Sequence, residues 1–334
     1  MIINRTPFRI SFFGGGTDYP LYYQENGGAV LSTTIDKYCY ISCRYLPPFF
    51  EHKHRIVYSK SEEVKTIDEI NHPAVREVFR FMKVSDGIEI HHDGDLPARS
   101  GLGSSSSFTV GLLQALYALN GQMVSKEQLA NESIMIEQDM IKENVGSQDQ
   151  VAAAYGGFNK ISFKMDSIDV QPMILSVERF KDFQDHFMLF YTGLSRIASE
   201  IAGEQIKNIK NNKKDLSIMH EMVDESIAIL KDENRDLAEF GRLLNESWKL
   251  KRGLTDKITT DLVDNLYKAA LSAGAEGGKL LGAGGGGFLL IFARLDAQKQ
   301  IKERLKNILH VPFKFETSGS QIVFYQPNIS YVIK

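Results

Sequence analysis

One short run of this chain carries most of its chemical promise: Leu96-Pro-Ala-Arg99-Ser100-Gly101-Leu102-Gly103-Ser104-Ser105-Ser106-Ser107, followed at once by an apolar stretch from Phe108 to Leu119. Small side chains let a ligand approach the backbone closely, and hydroxyls add donors. The first amides of the helix expected over 108–119 have no intrahelical partner, so they can point at an anion. A helix cap alone needs one serine, and four after Gly-Leu-Gly exceed it. The composition is that of a phosphate cradle, with Arg99 through Ser106 as its contacts. Two more glycine clusters, Gly14-Gly15-Gly16 and Gly282-Ala-Gly284-Gly285-Gly-Gly287, lie far away in sequence. Together the three suggest a ligand with several phosphates or a compact sugar site.

The third cluster formally satisfies G-x-G-x-x-G, yet a dinucleotide fold needs that motif between a strand and a helix. Here Phe288-Leu-Leu-Ile-Phe292 follows, which reads as strand. None of the clusters has the Gly-Lys-Ser/Thr ending of a Walker A loop. If the chain binds ATP, it does so by a third route.

The elements that must hold these clusters alternate in type. Arg9–Phe13, Val30–Tyr45 and Ile88–His92 read as strands, and Phe108–Leu119 and Lys126–Glu143 as helices. Ser125 suits the second helix as its cap. A second regime opens near residue 185 with an apolar run at His186–Tyr191. Amphipathic helical segments then fill 199–273, a helix is expected over Asp296–Leu309, and late strands close the chain. With 334 residues the chain has room for about two domains, here 1–184 and 185–334. A net charge of −3 and a pI near 6.3 recommend neither nucleic acid nor an anionic surface as partner. Cys39 and Cys43 are too far apart along a strand for an easy disulfide, and no stretch of about 18 apolar residues or signal-like segment is present. The expectation is a reduced, cytoplasmic α/β protein without membrane association.

Order and content of the three clusters resemble the GHMP kinases, the superfamily named for galactokinase, homoserine kinase, mevalonate kinase and phosphomevalonate kinase. Thr6-Pro-Phe-Arg9 through Gly14-Gly-Gly-Thr17-Asp18-Tyr19 resembles their motif one, 97–107 their ATP phosphate loop, and Leu281–Gly287 their motif three. The resemblance implies an α+β fold of two parts, an N-terminal ribosomal-protein-S5-like domain and a C-terminal ferredoxin-like domain. It also implies ATP and Mg²⁺ as cofactors, with Gly284 and Gly285 beside the nucleotide.

Phosphoryl transfer asks for positioning, charge neutralisation and a proton acceptor. Gly146-Ser-Gln-Asp149-Gln150 is similar to the segment that carries the catalytic aspartate in these kinases, and Arg9 is implied as its partner. The resemblance places Mg²⁺ on Ser105 and Glu137, with Glu132 and Glu143 as nearby competitors.

For the acceptor, Gly15, Gly16, Thr17 and Asp18 are the expected contacts. Galactokinases carry Glu and His where this chain has Gly15 and Gly16. The pattern 14–18 with Thr192-Gly-Leu-Ser-Arg196 instead resembles bacterial kinases of D-glycero-D-manno-heptose 7-phosphate, which act at the C1 hydroxyl in nucleotide-activated heptose synthesis. A small-molecule sugar phosphate then needs a cation, for which Lys37, Arg44 and Arg196 are unranked candidates. Other readings are a fucose- or galactose-type anomeric kinase, a mevalonate-diphosphate decarboxylase, which Thr17-Asp18 disfavours, and a non-catalytic sugar and ATP sensor.

Overall fold

In the computed structural model, which describes residues 1–193 and 198–328, the chain builds two sheets that share a layer of helices, antiparallel throughout except where the third and fifth strands of the first sheet (54–57 and 88–94) run parallel. The first sheet opens with β1 (Ile2–Phe13), β2 (Gly28–Tyr45), β3 (His54–Val57), β4 (Ser61–Val64), β5 (Ile88–Gly94), β6 (Phe158–Phe163) and β7 (Ile168–Pro172). The second is β8 (Phe187–Tyr191), β9 (Gly277–Leu280), β10 (Phe288–Phe292) and β11 (Leu309–His310), in the order β11-β8-β10-β9. The chain then returns to the first sheet. β12 (Phe315–Glu316) pairs with β2 and β13 (Gln321–Tyr325) pairs with β1. A division of the chain at 184/185 falls where the sheets change, but it leaves these last strands apart from the sheet they complete.

Helices α1 (Pro20–Asn26), α2 (Pro73–Phe81), α3 (Ser104–Leu119), α4 (Lys126–Met135), α5 (Gln148–Tyr155) and α6 (Val177–Asp185) come from the first half. The second half supplies α7 (Ala198–Lys207), α8 (Lys213–Lys231), α9 (Ala238–Gly253), α10 (Asp261–Ser272) and α11 (Gln298–Arg304). The continuous helix expected over 126–143 ends early: α4 gives way to a π-helical turn at Ile136–Met140. Helices α3 and α5 pack on β1, and so do α8 and α9. Coverage on both faces explains why Thr6 through Phe13 lose the in-out alternation and are buried throughout.

A stack of phenylalanines joins the halves. Phe183 of α6 lies 5.8 Å from Phe12 and 5.6 Å from Phe158 on one side, and 5.0 Å from Phe187 and 4.7 Å from Phe240 on the other. Phe315 of β12 closes the group at 5.9 Å. A smaller second core gathers around Trp248, and Tyr19 and Tyr22 reach into it from the first half. Cys39 and Cys43 are both buried and free. Among the described residues no helix is long and apolar enough to cross a membrane.

Because Phe183 is fully buried within this stack, Phe183→Ala should lower unfolding stability by about 3–5 kcal/mol in urea titration. A loss under about 1 kcal/mol would mean that the stack does not join the two halves.

Candidate active site

Strand β1 runs into a turn that only glycine fits. Gly14 has φ +80°, and a Cβ there would stand 1.9 Å from the carbonyl oxygen of Ala29. Thr17 locks the turn: its hydroxyl donates to the carbonyls of Gly14 (2.8 Å) and Ala29 (3.0 Å). Thr17 therefore supports the substrate side of the turn from behind and does not line the cavity, whereas Gly15, Gly16 and Asp18 do.

Asp18 is 2% exposed. One carboxylate oxygen accepts from the amide of Gly16 at 2.9 Å and the other from that of Gln148 at 3.4 Å. Its backbone carbonyl accepts from the amide of Ser147, so motif one is stitched to the start of α5. Burial raises the Asp18 pKa above the ordinary carboxylate value, and Asp149 adds to the rise, while the backbone amide of Gly16 opposes it. Gly146 has to be glycine here, since a Cβ would meet an Asp18 carboxylate oxygen at 1.9 Å.

Asp149 stands in the first turn of α5. Arg9 grips both of its carboxylate oxygens, Nε to Oδ1 at 2.7 Å and Nη2 to Oδ2 at 2.8 Å, and its Nη1 donates to the carbonyl of Gly101 at 2.7 Å. The fork geometry suits a planar carboxylate. It also ties the pair to the glycine-serine loop.

That loop divides its serines. Ser104 accepts from the amide of Arg99 at 3.0 Å, Ser106 donates to Glu137 at 2.8 Å, and Ser107 donates to the carbonyl of Pro7 at 2.9 Å. Leu102 is fully buried, so only its backbone serves the loop. Ser100 is buried and turned inward to Pro97. Ser105 alone of the four is exposed, and it lines the cavity with Arg99, Gly101, Gly103 and Ser104. Gly103 caps α3 with φ +75° and no side-chain cap. The amides of the first turn of α3 are thus left for an anion.

Motif three supports this loop from below. A Cβ on Gly101 would meet the carbonyl oxygen of Leu281 at 2.5 Å, and one on Gly287 that of Ser100 at 2.2 Å. Gly282 and Ala283 reach the cavity. Gly284 and Gly285, expected beside the nucleotide, are buried against Ile258 instead, with the Gly285 amide donating to its carbonyl at 2.9 Å. The run of glycines serves close backbone packing.

Glu137 sits in the π-helical turn, 1% exposed. Its Oε2 accepts from Ser106 and from Gln150, while Oε1 has no hydrogen-bond partner among the described residues. Burial pushes its pKa up to about 7, with Thr109 and Ser106 opposing. Glu137 itself does not line the cavity, but it hydrogen-bonds Ser106 next to the cavity-lining Ser105, and its buried oxygen and the Ser105 hydroxyl are hard donors of the kind Mg²⁺ takes. Glu132 instead accepts from the Tyr117 hydroxyl and Gln128 at the protein's flank.

Of the cations considered for a substrate phosphate, Lys37 is tied to Asp36 at 3.0 Å and Arg44 to Glu89. Neither lines the cavity. Arg196 lies outside the described residues. Two cavity lysines had no motif to announce them: Lys251 of α9 and Lys279 of β9. Their neighbourhood becomes legible only when α9 packs on β9 beside Phe12.

Replacing Gly101 tests the docking of the two loops. Gly101→Ala strains a φ of +88° and drives a methyl into Leu281, so ADP affinity measured by calorimetry should fall roughly tenfold or more. Unchanged affinity would remove the loop from nucleotide binding.

The chain matches the N-terminal domain of the GHMP kinases over residues 69–157 and their C-terminal domain over 207–310, together more than half its length. It is 28% identical over 307 residues to a D-glycero-alpha-D-manno-heptose 7-phosphate kinase of Campylobacter jejuni, covering 87% of this chain and 89% of that one. It is 26% identical to a galactokinase of Pyrococcus furiosus, covering 90% and 91%. The fold superposes with a TM-score of 0.77 on a crystal structure described as a D-glycero-D-manno-heptose 1-phosphate kinase from Bacteroides thetaiotaomicron, at 22% identity, over 96% of this chain and 98% of that one. The chain belongs to the GHMP kinase superfamily and is a sugar kinase, with ATP the phosphoryl donor that this family uses.

Proposed function

We propose that the protein phosphorylates the C1 hydroxyl of D-glycero-D-manno-heptose 7-phosphate, giving the 1,7-bisphosphate in the synthesis of nucleotide-activated heptose for surface polysaccharide. The observation that carries this reading is one cavity lined at once by Asp149, the phosphate loop and an acceptor wall at Gly15, Gly16 and Asp18. The match to a heptose 7-phosphate kinase over most of both chains narrows the sugar.

The acceptor wall suits a polyol. Asp18 offers a carboxylate to hydroxyl donors. Ser11 Oγ and Gln148 Oε1, both on residues that border the cavity, are buried with no partner among the described residues. Buried polar atoms of that kind await a ligand or water. Gly15 and Gly16 leave the room that larger side chains would take.

In the reaction, the C1 oxygen forms a bond to the γ-phosphorus of ATP as the bond to the β–γ bridging oxygen breaks, and ADP leaves. Asp149 takes the proton from the C1 hydroxyl. Arg9 holds the Asp149 carboxylate in place through its two paired hydrogen bonds, and its guanidinium adds positive charge next to the loop where charge moves. The amides of Gly103 to Ser105 and the side chain of Arg99 hold the β- and γ-phosphates. Ser105 and Glu137 would hold Mg²⁺, which supplies charge neutralisation for the phosphate oxygens when bound. Small polar substrates and a reduced cysteine pair fit a cytoplasmic enzyme.

The test is ADP release from MgATP with a panel of D-glycero-D-manno-heptose 7-phosphate, sedoheptulose 7-phosphate, mannose, galactose and fucose. Selective turnover of the manno-heptose phosphate is expected. A preference for fucose or galactose would keep the kinase and replace the acceptor. Asp149→Asn should lower kcat by about 10²–10⁴ while ATP still binds; equal kcat would remove Asp149 from the proton transfer. Chelation of divalent ions should abolish turnover, and added Mg²⁺ should restore it. Turnover that persists in chelator would exclude the metal.

A further inference from the structure

Lys251 and Lys279 have no part in the transfer just described, yet both line the cavity and are 7% and 3% exposed. Lys251 Nζ donates to the backbone carbonyls of Leu280 (3.2 Å) and Gly282, and Lys279 Nζ to that of Phe12 at 2.8 Å. These acceptors are all neutral. A buried ammonium without a counter-anion is costly.

The surroundings sharpen the imbalance. Burial lowers the Lys251 pKa to about 7, helped by Arg9 and opposed by Asp18. Burial also takes Lys279 well below its ordinary value, followed by the charges of Lys251 and Arg9, again opposed by Asp18. Three cationic groups thus converge near two carboxylates, of which Asp149 is taken up by Arg9 and Asp18 is itself reluctant to ionise, so neither lysine has a carboxylate of its own.

Lys251 reaches the carbonyl of Gly282, which packs on Gly101 of the glycine-serine loop, while Asp18 acts on both lysines from the motif-one side of the same cavity. Lys251 lies one helical turn before Leu254, which borders a recess shared with Gly16, Tyr19 and Gln205. The carbonyl that holds Lys279 belongs to Phe12, two residues before the motif-one turn. In the reaction proposed above, the nucleotide phosphates take the α3 amides and Arg99, which line the cavity beside α3.

We propose that Lys251 and Lys279 together seat the phosphate monoester that the acceptor carries into the site, as opposed to the one transferred to it. The dianion would give each ammonium a charged acceptor in place of a backbone carbonyl. This inference rests on the reading of the acceptor as a sugar phosphate, and it fills the role for which Lys37 and Arg44 are committed elsewhere.

Two measurements test it. The first titrates inorganic phosphate into the protein saturated with MgADP, at pH 8, by calorimetry in two buffers of different ionisation enthalpy. At pH 8 a lysine with a pKa near 7 is mostly neutral, and phosphate binds its ammonium form, so binding should take up protons. Lys251→Met and Lys279→Met should each weaken phosphate binding roughly 30-fold or more. Binding without proton uptake, absence of binding, or equal binding by both variants overturns the proposal.

The second compares KM values. Each Met variant should raise KM for D-glycero-D-manno-heptose 7-phosphate by the same factor and shift KM for ATP less than threefold. Lys251→Arg should recover most of the loss, which a folding defect would not allow. A rise confined to the ATP KM would assign the lysines to the nucleotide and overturn the proposal. If the wild type ignores the heptose phosphate while the phosphate titration behaves as expected, the acceptor reading fails and the lysine seat stands.

Discussion

Arg9 holds both oxygens of Asp149 within 2.8 Å and spends its remaining nitrogen on the carbonyl of Gly101. With one side chain, β1, the start of α5 and the phosphate loop are fixed to each other. Charge-assisted bonds of this kind each contribute about 1.5–3 kcal/mol where water is scarce, and Arg9 is 5% exposed. The position of Asp149, the proposed proton acceptor, relative to the glycine-serine loop therefore depends on where β1 ends. Gly103 leaves no Cβ to intrude, since one would come within 3.3 Å of the Asp149 carboxylate.

The rest of the fold keeps β1 from moving. Helices cover it on both faces, β2 and β13 flank it, and Phe12 sits in the aromatic stack with rings from both halves of the chain. Motif three is the complementary device. Gly282 and Gly287 let its backbone lie directly against that of Gly101 and Ser100, while Gly284 and Gly285 pack on Ile258. The cavity floor is thus backbone against backbone, and the second half of the chain reaches the site through Ala202, Gln205, Lys251, Leu254, Lys279, Gly282 and Ala283.

Much of this was legible in the chain itself where chemistry is local. The Gly-Leu-Gly-Ser₄ loop, Arg9 and the Gly146–Gln150 segment carry their own signals, and the apolar run 288–292 is β10 to the residue. Signals that depend on distant partners were not. The lysines of α9 and β9 look like ordinary charges until tertiary packing buries them. Thr17 looks like a substrate contact until β2 arrives to accept its hydroxyl at Ala29. Gly284 and Gly285 read as ligand contacts because a glycine-rich run has the same composition whether its space is filled by a ligand or by Ile258. The return of 315–325 to the first sheet is a long-range pairing with no local period to announce it. The π-helical turn that re-aims Glu137 likewise leaves no mark in the helical pattern of 126–143.

The most direct test of this account is the structure of the product. Incubation with MgATP and D-glycero-D-manno-heptose 7-phosphate, followed by proton-coupled phosphorus NMR, should give a new phosphorus resonance coupled to the anomeric proton, beside the retained 7-phosphate signal. A new phosphorus coupled to any other sugar proton would contradict the placement of the C1 hydroxyl against Asp149.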